Sequence, residues 1–289
     1  MPWTAENIPD QTGRTIVVTG ANSGLGESTA RELAAHGASV IMACRTTSKG
    51  DAAAARMSGD LTVVRLDLAD LASVRSFASD CGPIAVLVNN AGVMAVPAQR
   101  TADGFEMQIG TNFLGHFALT GLLLPKITDR VVTLSSGAHK IGKINIDDLN
   151  WRKRRYSRWG AYGQSKLADL MFAYELQRRL TATGSPVISV AAHPGYAATE
   201  LQSKTQSVQD FVMAFGNRLV AQSADRGALP TLFAATSADV VAGAYYGPDG
   251  LGELRGYPKR VTSSGASRDE AVATRLWKCA EELTGVVYG

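Results

Sequence analysis

Cysteine is scarce in this chain of 289 residues, and its three cysteines, Cys44, Cys81 and Cys279, lie far apart. An odd number at such spacing excludes a disulfide framework, so reduced thiols in a reducing compartment are expected. The four histidines are equally scattered. Because neither residue type recurs at the spacing of metal ligands, the sequence predicts no metal site.

Long apolar runs are also missing. The longest strongly apolar stretch, residues 117–125, is far shorter than the roughly 20 residues that a membrane-spanning helix requires. The first residues contain no basic segment followed by an apolar one, so no signal peptide is expected. The sequence therefore predicts a cytoplasmic protein without an integral membrane segment.

The chain also lacks an excess of charge of one sign. The 29 basic and 26 acidic residues give a net charge of +3, which is too small to indicate a nucleic-acid partner. The basic run Arg152–Arg155 has aromatic neighbours and would suit a nucleic-acid or anionic-membrane surface, but the near-neutral chain favours a solvated loop. With 45% hydrophobic and 19% charged residues, the composition is that of an ordinary globular protein.

Short β-branched runs alternate along the chain with longer stretches that carry apolar residues at helical spacing. Predicted strands are 15–19, 40–43, 61–66, 85–88, 130–134, 187–191 and a last one within 243–248; predicted helices are 27–36, 48–57, 70–80, 103–125, 159–180 and 268–283. Continuous apolar strands indicate burial on both faces. The alternation therefore predicts an α/β fold, a single doubly wound (Rossmann) parallel sheet with helices on both faces.

We expect residues 1–289 to form one domain, because no linker or internal repeat interrupts the pattern. Two stretches break the alternation. Residues 139–160 are an insertion between the fifth predicted strand and its helix, and residues 199–223 mix polar and apolar side chains. The second stretch suits a lid over a substrate site.

A glycine-rich turn, Gly20-x-x-x-Gly24-x-Gly26, joins the first predicted strand to the first helix. Such a turn needs residues that adopt positive φ, and it needs no Cβ where backbone N–H groups approach a pyrophosphate at a helix N-terminus. An ordinary tight turn is the alternative. Its place in an α/β chain favours dinucleotide binding.

The end of the second predicted strand bears on the choice of dinucleotide. NAD-binding folds usually have an acidic residue there for the ribose 2′-hydroxyl, whereas a 2′-phosphate favours arginine. This chain has Cys44 followed by Arg45, with Lys49 further on. The pattern favours NADP(H) and leaves NAD(H) open, the alternative being that Arg45 is a solvated loop cation.

Tyr162 and Lys166 are four residues apart on a predicted helix, so they share one face. A nearby ammonium favours the phenolate and lowers the tyrosine pKa from about 10 toward the working pH. Ser135 and Ser136 end the fifth strand at the carboxyl edge of the sheet, where ligands bind in open α/β folds. The pair alone is weak evidence, because surface helices contain many such pairs.

These motifs resemble the short-chain dehydrogenase/reductase family over most of residues 14–250. The matching residues are Thr19-Gly20-x-x-x-Gly24-x-Gly26, Asp67-Leu68, Asn89-Asn90-Ala91-Gly92, Asn112, Ser136, Tyr162-x-x-x-Lys166 and Pro194-Gly195 with Thr199. The insertion ahead of Tyr162 and the phrase His193-Pro194-Gly195 are similar to the retinol-dehydrogenase and protochlorophyllide-reductase-like branch.

The resemblance implies an enzyme that transfers hydride between NADP(H) and a small-molecule carbonyl or alcohol. Tyr162 would exchange the proton, and Lys166 would lower its pKa and bond the nicotinamide ribose. Ser136 would hold the substrate oxygen, with Ser135 as its rival; Tyr156 is the rival tyrosine. Asn112 would support a water that links Lys166 to solvent.

The resemblance also implies a set of cofactor contacts. These are Gly20, Ser23, Gly24, Leu25 and Gly26 at the pyrophosphate, Arg45 at the 2′-phosphate, Asp67 and Leu68 at the adenine, Asn90, Ala91, Gly92, Tyr162 and Lys166 along the ribose and nicotinamide, and Pro194, Gly195 and Thr199 at the carboxamide. Met94, Trp159 and Tyr196 follow motif residues and suit an apolar substrate pocket, although plain packing would also explain them.

Three other functions stay open at this point. One is an NAD-preferring alcohol dehydrogenase of the same family, and another is a cofactor-binding regulatory protein with little turnover. The third is the nucleic-acid or membrane-surface binder that the basic run suggests. A homo-oligomer is also left open, since family members commonly pair through the helices that carry Asn112 and Tyr162.

Overall fold

A computed structural model of the protein describes residues 2–196 and 222–289. Eight strands form one sheet in the order β3-β2-β1-β4-β5-β6-β7-β8, with all neighbours parallel except β7 and β8. The strands are β1 Thr15–Thr19, β2 Ser39–Cys44, β3 Asp60–Arg65, β4 Ile84–Asn89, β5 Ile127–Leu134, β6 Ile188–Ala192, β7 Tyr245–Pro248 and β8 Pro258–Arg260.

Helices connect the strands across both faces of this sheet. They are α1 Gly24–Ala35, α2 Thr47–Ala54, α3 Leu71–Asp80, α4 Gly115–Leu123, α5 Arg158–Ala182, α6 Ala224–Thr236 and α7 Glu270–Thr284. A π-helical turn, Ile109–Leu114, runs directly into α4. No helix in residues 2–196 or 222–289 combines the length and the apolar character needed to cross a membrane.

The sheet separates two apolar layers. Helices α1, α2 and α6 cover one face, where Leu33 and Leu232 are buried. Helices α3, α4, α5 and α7 cover the other face, where Phe77, Phe117 and Trp277 are buried. The strands between the layers are apolar on both sides, as the continuous hydrophobic runs predict. The predicted α/β class with a doubly wound sheet is confirmed.

The predicted helix over 103–125 begins later than expected. Gly104 has φ +81°, which lies outside the helical range. The carboxylate of Glu106 then accepts hydrogen bonds from the backbone N–H groups of Gln108 and Ile109, at 2.9 and 2.8 Å. A side-chain acceptor that satisfies the first free N–H groups marks a helix start, so the helical run begins after Glu106.

Two elements are absent from the sequence prediction. Helix α6 contains Pro230, and a proline inside an apolar periodic stretch normally indicates a helix break. Strand β8 has three residues, too few to display a period of two. It lies at the edge of the sheet and pairs antiparallel with β7, and no residue pattern in the sequence indicates this strand direction.

Candidate active site

The strand order reverses between β1 and β4, and ligands of doubly wound sheets bind at the carboxyl ends of the strands beside such a reversal. The predicted motifs follow the ends of β1, β4, β5 and β6 at this edge. The motif residues that the sequence separates by as much as 175 positions, from Gly20 to Gly195, are therefore neighbours along one side of the sheet.

The glycine-rich turn is built by close backbone approach. Gly20 and Gly24 adopt φ values of +67° and +56°. A Cβ on Gly26 would collide with the Gly20 carbonyl oxygen and would lie 2.5 Å from the Asn90 side-chain amide nitrogen. Helix α1 begins at Gly24, directly after Ser23, whose side chain makes no capping hydrogen bond. The free N-terminal N–H groups of α1 thus face the turn, as a pyrophosphate site requires.

A hydroxyl network fastens this turn to β4. The Thr19 hydroxyl oxygen accepts hydrogen bonds from the backbone N–H groups of Asn90 and Ala91, both at 2.9 Å. It lies 2.9 Å from His116 Nε2, and His116 Nδ1 lies 2.7 Å from the Asn112 carbonyl oxygen. Burial lowers the pKa of His116 to about 3, so its ring is neutral and donates through Nδ1. His116 is not predicted from the sequence, because a single histidine in an apolar helix gives no spacing signal.

Asn112 lies in the π-helical turn and is fully buried. Its side-chain oxygen accepts from the Val93 N–H at 2.8 Å, and its amide donates to the Val93 carbonyl and the Ser165 hydroxyl, each at 2.9 Å. Single π-helical turns are frequent at functional sites. Asn112 therefore joins the segment after Gly92 to helix α5, and its predicted support of a water stays a prediction.

The two serines that end β5 have different environments. Ser135 is buried and donates to the Lys166 carbonyl oxygen at 2.7 Å, so its hydroxyl is already engaged with α5. Ser136 is half-buried, and its hydroxyl oxygen accepts from the Ala138 N–H at 3.2 Å. The Ser136 hydroxyl hydrogen remains available as a donor. This difference favours Ser136 over Ser135 as the residue that meets a substrate oxygen.

Tyr162 and Lys166 lie one turn apart on α5, and both are largely buried. The Lys166 ammonium donates to the Leu134 carbonyl oxygen at 2.9 Å and to the Asp169 carboxylate at 2.8 Å. Burial opposes the charge on Lys166, but Asp169 and then Tyr162 outweigh it and raise the lysine pKa. Asp169 is not among the site residues predicted from the sequence.

The rival tyrosine, Tyr156, is occupied elsewhere. Its hydroxyl donates to the Glu106 carboxylate at 2.9 Å and accepts from the Gln108 amide at 3.0 Å. Burial, with Glu106 beside it, raises the pKa of Tyr156 further above its ordinary value. A phenol held in this way fixes the start of the α4 segment and is poorly suited to proton exchange near neutral pH.

Arg45 is exposed directly after β2, and its side chain makes no hydrogen bond or ion pair with any residue in 2–196 or 222–289. Cys44 before it is buried. Asp67 accepts a hydrogen bond from the Ala69 N–H at 3.0 Å, and Leu68 is buried beside it. The residues predicted to meet the adenine end are therefore neighbours at the ends of β2 and β3.

The segment after β6 packs tightly on residues 249–256. Gly195 has φ +68°, and a Cβ there would lie 2.5 Å from the Leu254 carbonyl oxygen. The Pro194 carbonyl accepts from the Gln222 side chain at 2.6 Å, and the Gln222 N–H bonds to the Tyr196 carbonyl at 3.0 Å. Thr199 and nearly all of the predicted lid (residues 199–223) lie outside the described residues.

The basic run is anchored on its own loop. The Asp148 carboxylate accepts from the Arg152 N–H at 2.6 Å and lies 3.5 Å from the Arg154 guanidinium. That guanidinium also stacks on the Trp151 ring at 3.6 Å and bonds the Gln164 side chain at 2.5 Å. Arg154 thus connects the insertion to α5, and its guanidinium takes part in local contacts rather than in an open cationic surface.

A doubly wound sheet with a glycine-rich turn at its reversal point is the architecture of the dinucleotide-binding α/β class. Within that class, a family model described as short chain dehydrogenase matches residues 14–210. The chain belongs to this family of oxidoreductases, which act on alcohol and carbonyl groups.

Named relatives place it more closely. Human retinol dehydrogenase 13 is 41% identical over 293 residues, covering 95% of this chain and 85% of that protein. Mouse polyprenol dehydrogenase is 40% identical over 301 residues, covering 98% and 87%. The crystal structure of an uncharacterized protein from Mycobacterium paratuberculosis is 52% identical, covers 100% of both chains and gives a TM-score of 0.88. The predicted family and its retinol-dehydrogenase branch are confirmed.

More distant structures share the fold alone. The Pseudomonas aeruginosa RhlG/NADP complex is 22% identical with a TM-score of 0.64, over 81% of this chain and 94% of that chain. A Burkholderia phymatum short chain dehydrogenase/reductase with NAD is 20% identical with a TM-score of 0.61, over 78% and 86%. The same fold is thus found with NADP in one structure and with NAD in another, and the fold does not decide between them.

Proposed function

We propose that this protein is an NADP(H)-dependent oxidoreductase that transfers hydride between nicotinamide and an apolar alcohol or carbonyl compound, with Ser136, Tyr162 and Lys166 at its centre. The observation that carries the proposal is the buried ammonium of Lys166, held one helical turn from Tyr162 by a carbonyl and a carboxylate. Burying a charge is costly unless the charge is paired. Here the paired ammonium lies beside a phenol, so the two side chains can form a proton-transfer site in which the lysine charge favours the phenolate.

The free backbone groups at the start of α1 fit a dinucleotide pyrophosphate, because the cradle beside Gly20 and Gly26 leaves no room for side chains. Ser23, Gly24 and Leu25 would meet it there, with Asp67, Leu68, Asn90, Ala91, Gly92, Pro194, Gly195 and Thr199 along the remaining length. When bound, the nicotinamide supplies or accepts the hydride.

The chain's own residues handle the proton. In reduction, the Tyr162 hydroxyl donates its proton to the carbonyl oxygen as the carbon receives hydride, and the Lys166 charge stabilises the phenolate that remains. The Ser136 hydroxyl donates a hydrogen bond to the same oxygen, where negative charge develops. In oxidation the phenolate takes the alcohol proton, and the same groups act in reverse.

Arg45 supports the preference for NADP(H). Its guanidinium is exposed, has no counter-ion among the described residues, and follows a strand end that carries no carboxylate. The start of α2 comes next along the chain, so free backbone N–H groups lie close to the arginine. A guanidinium beside a helix N-terminus is a suitable site for a 2′-phosphate.

Arg45→Asp is expected to weaken NADPH binding by about tenfold to a hundredfold, corresponding to the loss of a charge-assisted contact of about 1.5 to 3 kcal/mol. NADH binding should change by less than about threefold, since NADH carries no 2′-phosphate. Fluorescence titration with each dinucleotide measures both constants. Arg275→Asp makes the same charge change on exposed α7 and should alter neither. Equal losses for the two dinucleotides would remove Arg45 as the phosphate contact.

The substrate is proposed to be an apolar alcohol or aldehyde. Trp159 is part-exposed with its ring 6.0 Å from that of Tyr162, and Ile141 is exposed on the turn that follows Ser136. The relatives' names specify retinol and polyprenol, both apolar alcohols. These alcohols are therefore the first substrates to assay.

The decisive experiment joins binding to turnover. Purified protein is melted with NADPH and with NADH, since a ligand at 100 times its dissociation constant stabilises by about 2.7 kcal/mol, and NADP⁺-dependent oxidation of retinol is then followed at 340 nm. A shift with NADPH together with turnover supports the proposal. A shift without turnover on any apolar alcohol or aldehyde would favour the regulatory alternative, and a larger shift with NADH would favour the NAD-preferring one.

We also infer that the protein is a monomer. Helix α7 and Tyr288 cover the outward side of α4 and α5, with Trp277 5.0 Å from Phe117 and 5.7 Å from Phe172 between ring centres. Pairing through these helices would require α7 to leave. Sedimentation equilibrium should give a mass close to 30.5 kDa, and a stable dimer would contradict this inference.

A further inference from the structure

Asp169 holds the Lys166 ammonium but takes no direct part in the proton transfer described above. It is 2% exposed, follows Lys166 by one helical turn, and its carboxylate accepts from the Lys166 ammonium at 2.8 Å. A second ammonium hydrogen bonds the Leu134 carbonyl. An ammonium has three N–H groups, so one remains beyond these two contacts.

We propose that Asp169 is a positioning residue: as the buried counter-ion of Lys166, it fixes the ammonium and sets the pH range in which Tyr162 exchanges its proton. This inference rests on the proposed function, since it assigns Asp169 a role only if Tyr162 is the proton-transfer group. It adds a carboxylate to a centre otherwise made of serine, tyrosine and lysine.

Burial explains why Lys166 needs this partner. Removing an ammonium from water disfavours its charged form, whereas Asp169 and Tyr162 restore the balance and keep the lysine pKa raised. Burial also raises the pKa of Asp169, to about 6, because Lys166 offsets only part of the desolvation. Around neutral pH the two side chains therefore form an ion pair, and its electric field on neighbouring groups is far weaker than that of a lone ammonium.

That smaller field acts on Tyr162. Asp169 follows Tyr162 by seven residues, about 10 Å along the helix axis, so its negative charge cancels part of the stabilisation that Lys166 gives to the phenolate. Among residues 2–196 and 222–289, the other titratable groups facing this cluster are His116 on α4 and Tyr245 on β7. Burial lowers the pKa of His116 to about 3 and raises that of Tyr245 well above its ordinary value, so both are neutral between pH 5 and 10.

Asp169→Asn removes the charge with almost no change of shape. The midpoint of the pH profile of kcat/KM for alcohol oxidation, which follows formation of the Tyr162 phenolate, is expected to fall by about one pH unit, since a charge at about 10 Å in a protein interior acts on this scale. Asp169→Glu keeps the charge, and its midpoint should stay within about 0.3 unit of the wild type. Thermal melts with NADPH confirm that each variant is folded and binds.

Glu175→Gln is the matched control. Glu175 is a buried carboxylate on the same helix that pairs with Arg178 and Arg179, but it lies 13 residues beyond Tyr162, so its removal should leave the midpoint unchanged. If Asp169→Asn does not fold, Asp169→Ser, with space for a water beside the ammonium, is measured in the same way. An unmoved or higher midpoint in an active charge-removed variant overturns the inference while the proposed function stands. Absence of turnover in the wild type defeats the proposed function instead.

Discussion

Tyr162→Phe is expected to lower turnover by about 10² to 10⁴-fold, the range that a positioned general acid or base contributes, while NADPH binding changes by less than about twofold. The substitution deletes one oxygen, and no buried side chain among the described residues depends on that oxygen for its only hydrogen bond. The ring keeps its contact with Trp159. The loss should therefore appear in kcat and not in the stability of the fold or in the cofactor site.

Tyr174→Phe is the control for this prediction. It removes the same atom from the same helix, at a hydroxyl that bonds Ser263 at 3.0 Å on a residue about two turns beyond Lys166. Stopped-flow hydride transfer and NADPH titration should place Tyr174→Phe close to the wild type and Tyr162→Phe far below it. Turnover that survives in Tyr162→Phe would show that another group moves the proton, and Ser136 would be the next residue to replace.

The fold was predictable because its information is local and repeated. The central strands β1, β2, β4 and β6 are short apolar runs, and the helices between the strands have apolar residues on a buried face. Parallel strands joined by short helices have essentially one handed arrangement. Helix α6 was not predicted, because Pro230 resembles a helix break. The helix that leads into α4 was predicted to start too early, because the sequence does not show that Gly104 has positive φ.

The candidate site also contains some residues that the sequence reveals and others that it does not. Gly20, Gly26 and the Tyr162–Lys166 pair have fixed spacing along the chain, so the sequence can reveal them. His116 has no such spacing. Asp169 follows Lys166 by three residues on the same helix, but the sequence does not show that this pair is buried. Their importance comes from what surrounds them, a threonine hydroxyl from β1 in one case and a buried ammonium in the other. Contacts between distant segments exist only once the sheet has formed, and no single-sequence pattern encodes them.

Trp277→Ala is expected to destabilise the protein by about 3 to 5 kcal/mol, the usual result of replacing a buried large aromatic by alanine. Trp277 is 2% exposed. Its ring stacks on Phe172 and meets the Phe117 and Tyr288 rings at 5.0 and 4.4 Å between centres. The Arg179 guanidinium covers another side at 4.3 Å. The cavity cannot collapse easily, because these partners come from three separate elements.

The measurement is urea unfolding followed by circular dichroism, with Val287→Ala as the control, since Val287 is 74% exposed on the same C-terminal segment and should change stability by less than about 0.5 kcal/mol. The loss has a second consequence, because α7 covers the apolar side of α4 and α5. As α7 loosens, Phe117 and Phe172 gain access to solvent or to another copy of the chain. Trp277→Ala should therefore associate more strongly than the wild type at the same concentration. A variant as stable and as monomeric as the wild type would mean that α7 is an appendage rather than part of the core that supports the Tyr162 helix.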